Sequence, residues 1–62
     1  MALWYIEMFT RRDGALGEFE LRDFSDIEAA DRDEAVKTAI QQARAEGFET
    51  AGANVVWRVP ND

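Results

Sequence analysis

The chain has no cysteine and no histidine, a single serine, a single proline and one lysine. Each scarcity closes a class of chemistry. Without cysteine there are no disulfides and no thiolate metal sites, the usual staples of small secreted domains, so a reducing cytoplasm is the expected location. Without histidine the commonest general base and the commonest zinc ligand are missing. Ser25 has no imidazole to activate it, so nucleophilic catalysis is not expected. No apolar run approaches the roughly 18 residues that a membrane span needs. The apolar start, Met1 to Phe9, reads as a first strand rather than as a leader.

What is present is acid. The 62 residues carry 13 Asp and Glu against 7 Lys and Arg, a net charge of −6. The charge is not spread evenly. Residues 1–17 and 35–62 are each neutral. Glu18, Glu20, Asp23, Asp26, Glu28, Asp31, Asp33 and Glu34 face only Arg22 and Arg32, so residues 18–34 carry the whole −6. Phosphate contacts demand Lys and Arg, so direct binding to nucleic acid or to an anionic membrane is not expected. A surface charged in this way attracts basic ones.

The length sets one domain, residues 1–62. A chain this short buries only about 60% of the surface it exposes when unfolded. The apolar share of 47% is that of a globular chain. The expected core is Trp4, Ile6, Phe19, Leu21, Val36, Ile40 and their neighbours.

Residues 2–11 are aromatic and branched, as strands are. Trp4, Ile6 and Met8 share one face; Leu3, Tyr5, Glu7 and Phe9 share the other. Two largely apolar faces indicate a central strand. Asp13-Gly14 marks a hairpin turn. A second strand follows over about 17–24, with Phe19 and Leu21 on one side and Glu18, Glu20 and Arg22 on the other. Residues 23–30 allow two readings: Ser25 capping one helical turn with Glu28 three residues on, or, favoured because Ile27 and Ala29 alternate with Asp26 and Glu28, a strand that continues past a bulge at Asp23–Ser25 and curls the sheet.

A helix follows. Asp31 is its expected N-cap, with Glu34 three residues on. Asp33 and Glu34 suit the positive end of the helix dipole, and Gly47 is a natural stop. Ala35, Val36, Ala39, Ile40 and Ala43 recur at helical spacing, and the three alanines let the helix lie close to the sheet. After a loop over about 49–53, residues 54–59 form a last strand, ended by Pro60. The expected fold is α+β: a β-β-α-β chain whose curled, three-stranded antiparallel sheet has order 2-1-3, tending to a partial barrel, with one helix on one face.

Candidate chemistry is sparse. Asp31-Arg32-Asp33-Glu34 lacks the glycine and the twelfth-position glutamate of a calcium loop, and helix capping accounts for it; no metal or cofactor is expected. Gly14-Ala15-Leu16-Gly17 has the spacing of a backbone-clamping GxxG loop, but it lies in a hairpin with no helix-loop-helix setting. Trp4, Tyr5, Phe9 and Trp57 could form a stacking platform, yet so small a domain needs its large aromatics in the core. If Leu3, Tyr5 and Phe9 remain exposed on the face away from the helix, that patch marks a partner or dimer surface.

Ile27 to Val36 reads like the strand-into-helix junction of many small bacterial β-β-α-β proteins. In size and charge the whole chain resembles the small acidic inhibitors carried by phages and mobile elements, the anti-CRISPR proteins in particular. That resemblance implies a compact, cytoplasmic, non-enzymatic inhibitor, a DNA mimic in effect, that binds a Cas effector and blocks a nucleic-acid path. It assigns no residue. From the charge pattern, Glu18, Glu20, Asp23, Asp26 and Glu28 are the candidate contacts to a basic partner surface. The alternative is a homo-oligomeric structural or housekeeping module that pairs its spare apolar face with a second copy; the expected state is monomer or homodimer.

Overall fold

The computed structural model describes residues 1–60. Strand β1 (Ala2–Arg12) is followed by β2 (Glu20–Ala29), helix α1 (Arg32–Ala45) and β3 (Phe48–Arg58). The sheet order is β2-β1-β3, and β1 runs antiparallel to both neighbours. This is the expected β-β-α-β chain of the α+β class, with an open sheet and α1 on one side. Its central strand is the one with two apolar faces, because only a strand paired on both edges and packed on at least one face can bury so much aromatic and branched surface.

The core lies between α1 and the sheet. Ile6, Met8, Phe24, Ile27 and Ala29 meet Ala35, Ala39 and Ala43 of the helix, and Trp4, Val36, Ile40, Phe48 and Val56 pack around them. The three helical alanines are fully buried. They recur every fourth residue on one stripe, and their small side chains bring the helix backbone close to the strands. At its start, Asp31 is extended (φ −146) and its Oδ1 accepts from the Glu34 N–H at 2.9 Å, while Glu34 Oε1 accepts from the Ala30 N–H at 3.2 Å. At its end, the Gly47 N–H donates to the Arg44 carbonyl at 3.0 Å. Gly47 has φ +90, a conformation that a side chain would strain.

Strand β2 departs from the expected alternation. Phe24 and Ile27 are both buried, although they are three residues apart. Ile6 pairs with Phe24 and Trp4 with Ile27, so Tyr5 faces two residues, Ser25 and Asp26. The bulge therefore lies at Ser25–Asp26, overlapping the expected Asp23–Ser25 at Ser25 and shifted toward the C-terminus, and Asp26 takes the left-handed conformation there (φ 57). The extra residue inverts the side-chain phase between the two halves of the strand. Ile27 and Ala29 face the helix, whereas Leu21 pairs with Phe9 on the other side and is 49% exposed. Leu21 is not in the core, and Phe19 precedes the strand.

The β1–β2 connection is also wider than the expected Asp-Gly hairpin, occupying residues 13–19. The Ala15 N–H closes a turn onto the Arg12 carbonyl at 2.9 Å, with Gly14 at φ +80. Arg11 organises the remainder. Its guanidinium donates to the Gly17 carbonyl at 2.8 Å and to Glu49 Oε1 at 2.9 Å, and it stacks on the Phe19 ring with 4.3 Å to the centroid. The Asp13 N–H donates to the Gly47 carbonyl at 2.9 Å, which ties the connection to the end of α1.

No loop separates the helix from the last strand beyond Gly47. Residues 49–53 are part of β3, which pairs with β1 from Phe48 to Arg58. Two register shifts, at Ala51 and Asn54, absorb the small residues that read as a loop. Val56 packs on the core, and Val55 and Trp57 face away from it.

Candidate functional site: the open face of the sheet

One face of the sheet is covered by α1. Among the described residues no element covers the opposite face, and the alternation of β1 decides what it presents. Leu3, Tyr5, Glu7, Phe9 and Arg11 point to it. Their cross-strand neighbours are Glu28, Asp23 and Leu21 on β2, and Trp57, Val55 and Glu49 on β3. Leu3, Phe9, Leu21, Val55 and Trp57 are all exposed, Trp57 by 53%. Core packing was the expectation for Trp57 and, unless it faced away from the helix with Leu3 and Tyr5, for Phe9; both are on the open face. The sheet has a single helix to bury one side against, and Ile6, Met8, Phe24 and Ile27 already occupy that side.

Glu7 lies at the middle of β1 and hence at the middle of this face. Both its oxygens are held: the Tyr5 hydroxyl donates to Oε2 at 3.2 Å and Asn54 Nδ2 donates to Oε1 at 3.1 Å. Asp23 stands directly opposite Glu7. Two like charges in that position repel. Partial burial, followed by the Asp23 and then the Glu7 carboxylate, pushes the Tyr5 phenol up to about 12, because each disfavours the phenolate. The Tyr5 hydroxyl donates to Glu7 and stays protonated through the neutral range.

The sequence candidates divide over this framework. Asp23 and Glu28 lie on the open face. Asp26 sits in the bulge beside them. Glu20 pairs with Thr10 and is on the helix side of β2, near Arg22, whose guanidinium stacks on Phe48 at 4.0 Å. Glu18 lies in the 13–19 connection. All five are exposed, and all lie on or beside the outer strand β2, but they do not share one face. Glu7 was missed. Its signal was present: it is the one charge among residues 2–9 and shares the phase of Leu3, Tyr5 and Phe9.

Bases are few here. Among the strand residues on this side the one base is Arg11, and it is paired with Glu49. That hydrogen bond lowers the Glu49 carboxyl below its usual range, partial burial opposing it. Among the described residues this is the one ion pair, so none of the acids of residues 18–34 is neutralised by a neighbouring base. No cluster of three or more acids among the described residues is placed to hold a metal ion, and no helix among them is long and apolar enough to cross a membrane. Comparison with family models, with curated proteins and with solved structures finds no match to this chain.

Proposed function

We propose that this protein is a non-enzymatic binding module that docks its acidic side on a basic surface of another protein, of the kind that otherwise holds nucleic acid. One observation carries the proposal: the acids of residues 18–34 are exposed and lack ion-pair partners, while the rest of the chain is balanced in charge. Asp31 and Glu34 have structural work at the helix N-terminus, and Asp33 suits its dipole. Asp26 takes the left-handed position of the bulge and Asp23 stands opposite Glu7, but neither they nor Glu18, Glu20 and Glu28 have an ion-pair partner among the described residues, and fixed charge held close together opposes folding unless something offsets it. A basic partner supplies that offset on binding and is drawn in by long-range attraction. The specific form suggested by the likeness in size and charge is inhibition of a Cas effector in the cytoplasm, by occupying its nucleic-acid path.

The test is charge reversal. The variant Glu18→Lys, Glu20→Lys, Asp26→Lys should weaken binding to a nucleic-acid-binding protein and flatten its dependence on salt, while the wild-type protein leaves free DNA unbound. Unchanged affinity with an unchanged salt slope refutes the proposal. For the inhibitor form, the readout is cleavage by an RNA-guided nuclease with and without the protein.

A second reading has its own observation. The exposed apolar residues of the open face suit a homo-oligomer, in which a second copy covers them. Sedimentation at high protein concentration distinguishes it from the first: a clean monomer argues against it.

A further inference from the structure

We infer that the open sheet face is a seat for one amphipathic helix of the partner, with an apolar stripe and one basic flank. The inference rests on the acidic-module reading above and names the surface and the chemistry of its occupant.

From Leu3 to Phe9 the face runs about 20 Å, at about 3.3 Å per residue. Three strands about 4.8 Å apart make it about 10 Å wide, which is about the diameter of one helix with its side chains. The other side of the same sheet already accepts such an element: α1 has 14 residues, a length of about 21 Å. A partner helix of about four turns would complete a three-layer arrangement of helix, sheet and helix.

The chemistry of the face is lopsided. Toward β3 it presents Val55 and Trp57, with Tyr5 directly opposite Trp57, and at the far end Glu49, whose charge Arg11 offsets. Toward β2 it presents Asp23 and Glu28, opposite Glu7 and Leu3, with Leu21 opposite Phe9 at the far end, and these two acids have no ion-pair partner among the described residues. A helix lying along β1 would therefore set its apolar stripe over Tyr5, Val55 and Trp57, and its Lys and Arg residues on the flank above Asp23 and Glu28. Trp57 is the expected anchor, since a half-exposed tryptophan offers the largest apolar area that docking could bury.

Charge also decides against a second copy as the occupant. A two-fold contact sets the residues at its axis against themselves. The centre of this face is Glu7, mid-way along the central strand, with Asp23 beside it. Face-to-face pairing would bring four carboxylates together in a drying interface, with Arg11 already held by Glu49. Buried like charge without a counter-charge is strongly unfavourable.

The probe is a synthetic peptide of about four helical turns with a leucine stripe and a Lys/Arg flank, compared with the same peptide carrying Glu on that flank. Saturable binding of the basic peptide, a blue shift of tryptophan emission that Trp57→Phe removes, and weakening by salt are expected. Asp23→Lys with Glu28→Lys should cost on the order of tenfold or more in affinity, and Glu18→Lys with Glu20→Lys markedly less. All four positions are exposed, and circular dichroism checks that each variant is folded. No binding of the basic peptide, or equal binding of the acidic one, overturns the inference. If the Glu18/Glu20 variant loses binding and the Asp23/Glu28 variant keeps it, the helix seat is refuted while the acidic module survives; indifference to both refutes the two together. A dimer that Phe9→Ser with Trp57→Ser dissociates overturns the inference in favour of a second copy.

Discussion

Replacing Ala39 tests the closeness of helix and sheet, on which the rest of the fold depends. Ala39 is fully buried at the middle of the α1 stripe, between the equally buried Ala35 and Ala43. In Ala39→Gly two effects add. Glycine in a helix interior costs about 1 kcal/mol, and loss of one buried methyl costs about 0.8 kcal/mol, together about 2 kcal/mol. A chain of this length has a total stability of about 3–9 kcal/mol at typical values per residue, so the loss is a large fraction of it. For a domain this small, 2 kcal/mol lowers Tm by about 8–16 °C. Ala39→Leu offers more apolar surface, but its extra carbons have no space beneath a helix seated on methyl groups. It should cost about 1–3 kcal/mol through overpacking. The comparison that isolates packing is position 37, which is exposed on the same helix: Lys37→Gly measured against Lys37→Ala should show the propensity cost of about 1 kcal/mol alone. Urea and thermal unfolding followed by circular dichroism report all four variants. Equal Ala-to-Gly costs at positions 37 and 39, or an Ala39→Leu protein as stable as wild type, would refute the close packing.

Two further outcomes are expected. Tyr5 is the one tyrosine in the chain, so phenolate absorbance follows it alone; its midpoint should lie near 12 in the folded protein and near the ordinary value of 10 once unfolded. Because the folded protein holds this proton more tightly, the stabilisation is complete below about pH 10 and is lost as the pH rises toward 12; Tyr5→Phe should remove that part of the pH dependence, and an unshifted midpoint would mean that neither burial nor the carboxylates hold the proton on the phenol. Asp31→Ala removes the acceptor for the Glu34 N–H and should destabilise by about 1 kcal/mol in urea unfolding, with Asp31→Ser close to wild type.

The two ends of the helix were readable because their signals are local. Asp31 with Glu34 and the glycine at 47 act within one turn of the chain, and the stripe of Ala35, Val36, Ala39, Ile40 and Ala43 needs no other element to define it. The two-sided apolar character of residues 2–9 likewise placed the first strand at the centre of the sheet and so decided the order 2-1-3. The concentration of acid in residues 18–34 is a property of composition and needs no fold at all.

Phase and pairing were not local. One residue in a bulge reverses which side every later residue of the strand occupies. The bulge position was set by where Tyr5 of β1 meets Ser25 and Asp26, so Leu21 moved to the open face and Phe24 and Ile27 entered the core. Residues 49–53 carry the small side chains of a loop, but eleven residues of β1 were available to pair with, and hydrogen bonding along that edge outweighed their weak strand propensity. The same long-range pairing placed Asp23 opposite Glu7 and Tyr5 opposite Trp57. The sequence by itself determined that this chain is acidic and built around a helix on a central apolar strand. Only the tertiary structure decided which acids meet which aromatics, because residues far apart in the chain become neighbours through strand register, and register is settled by the sheet as a whole.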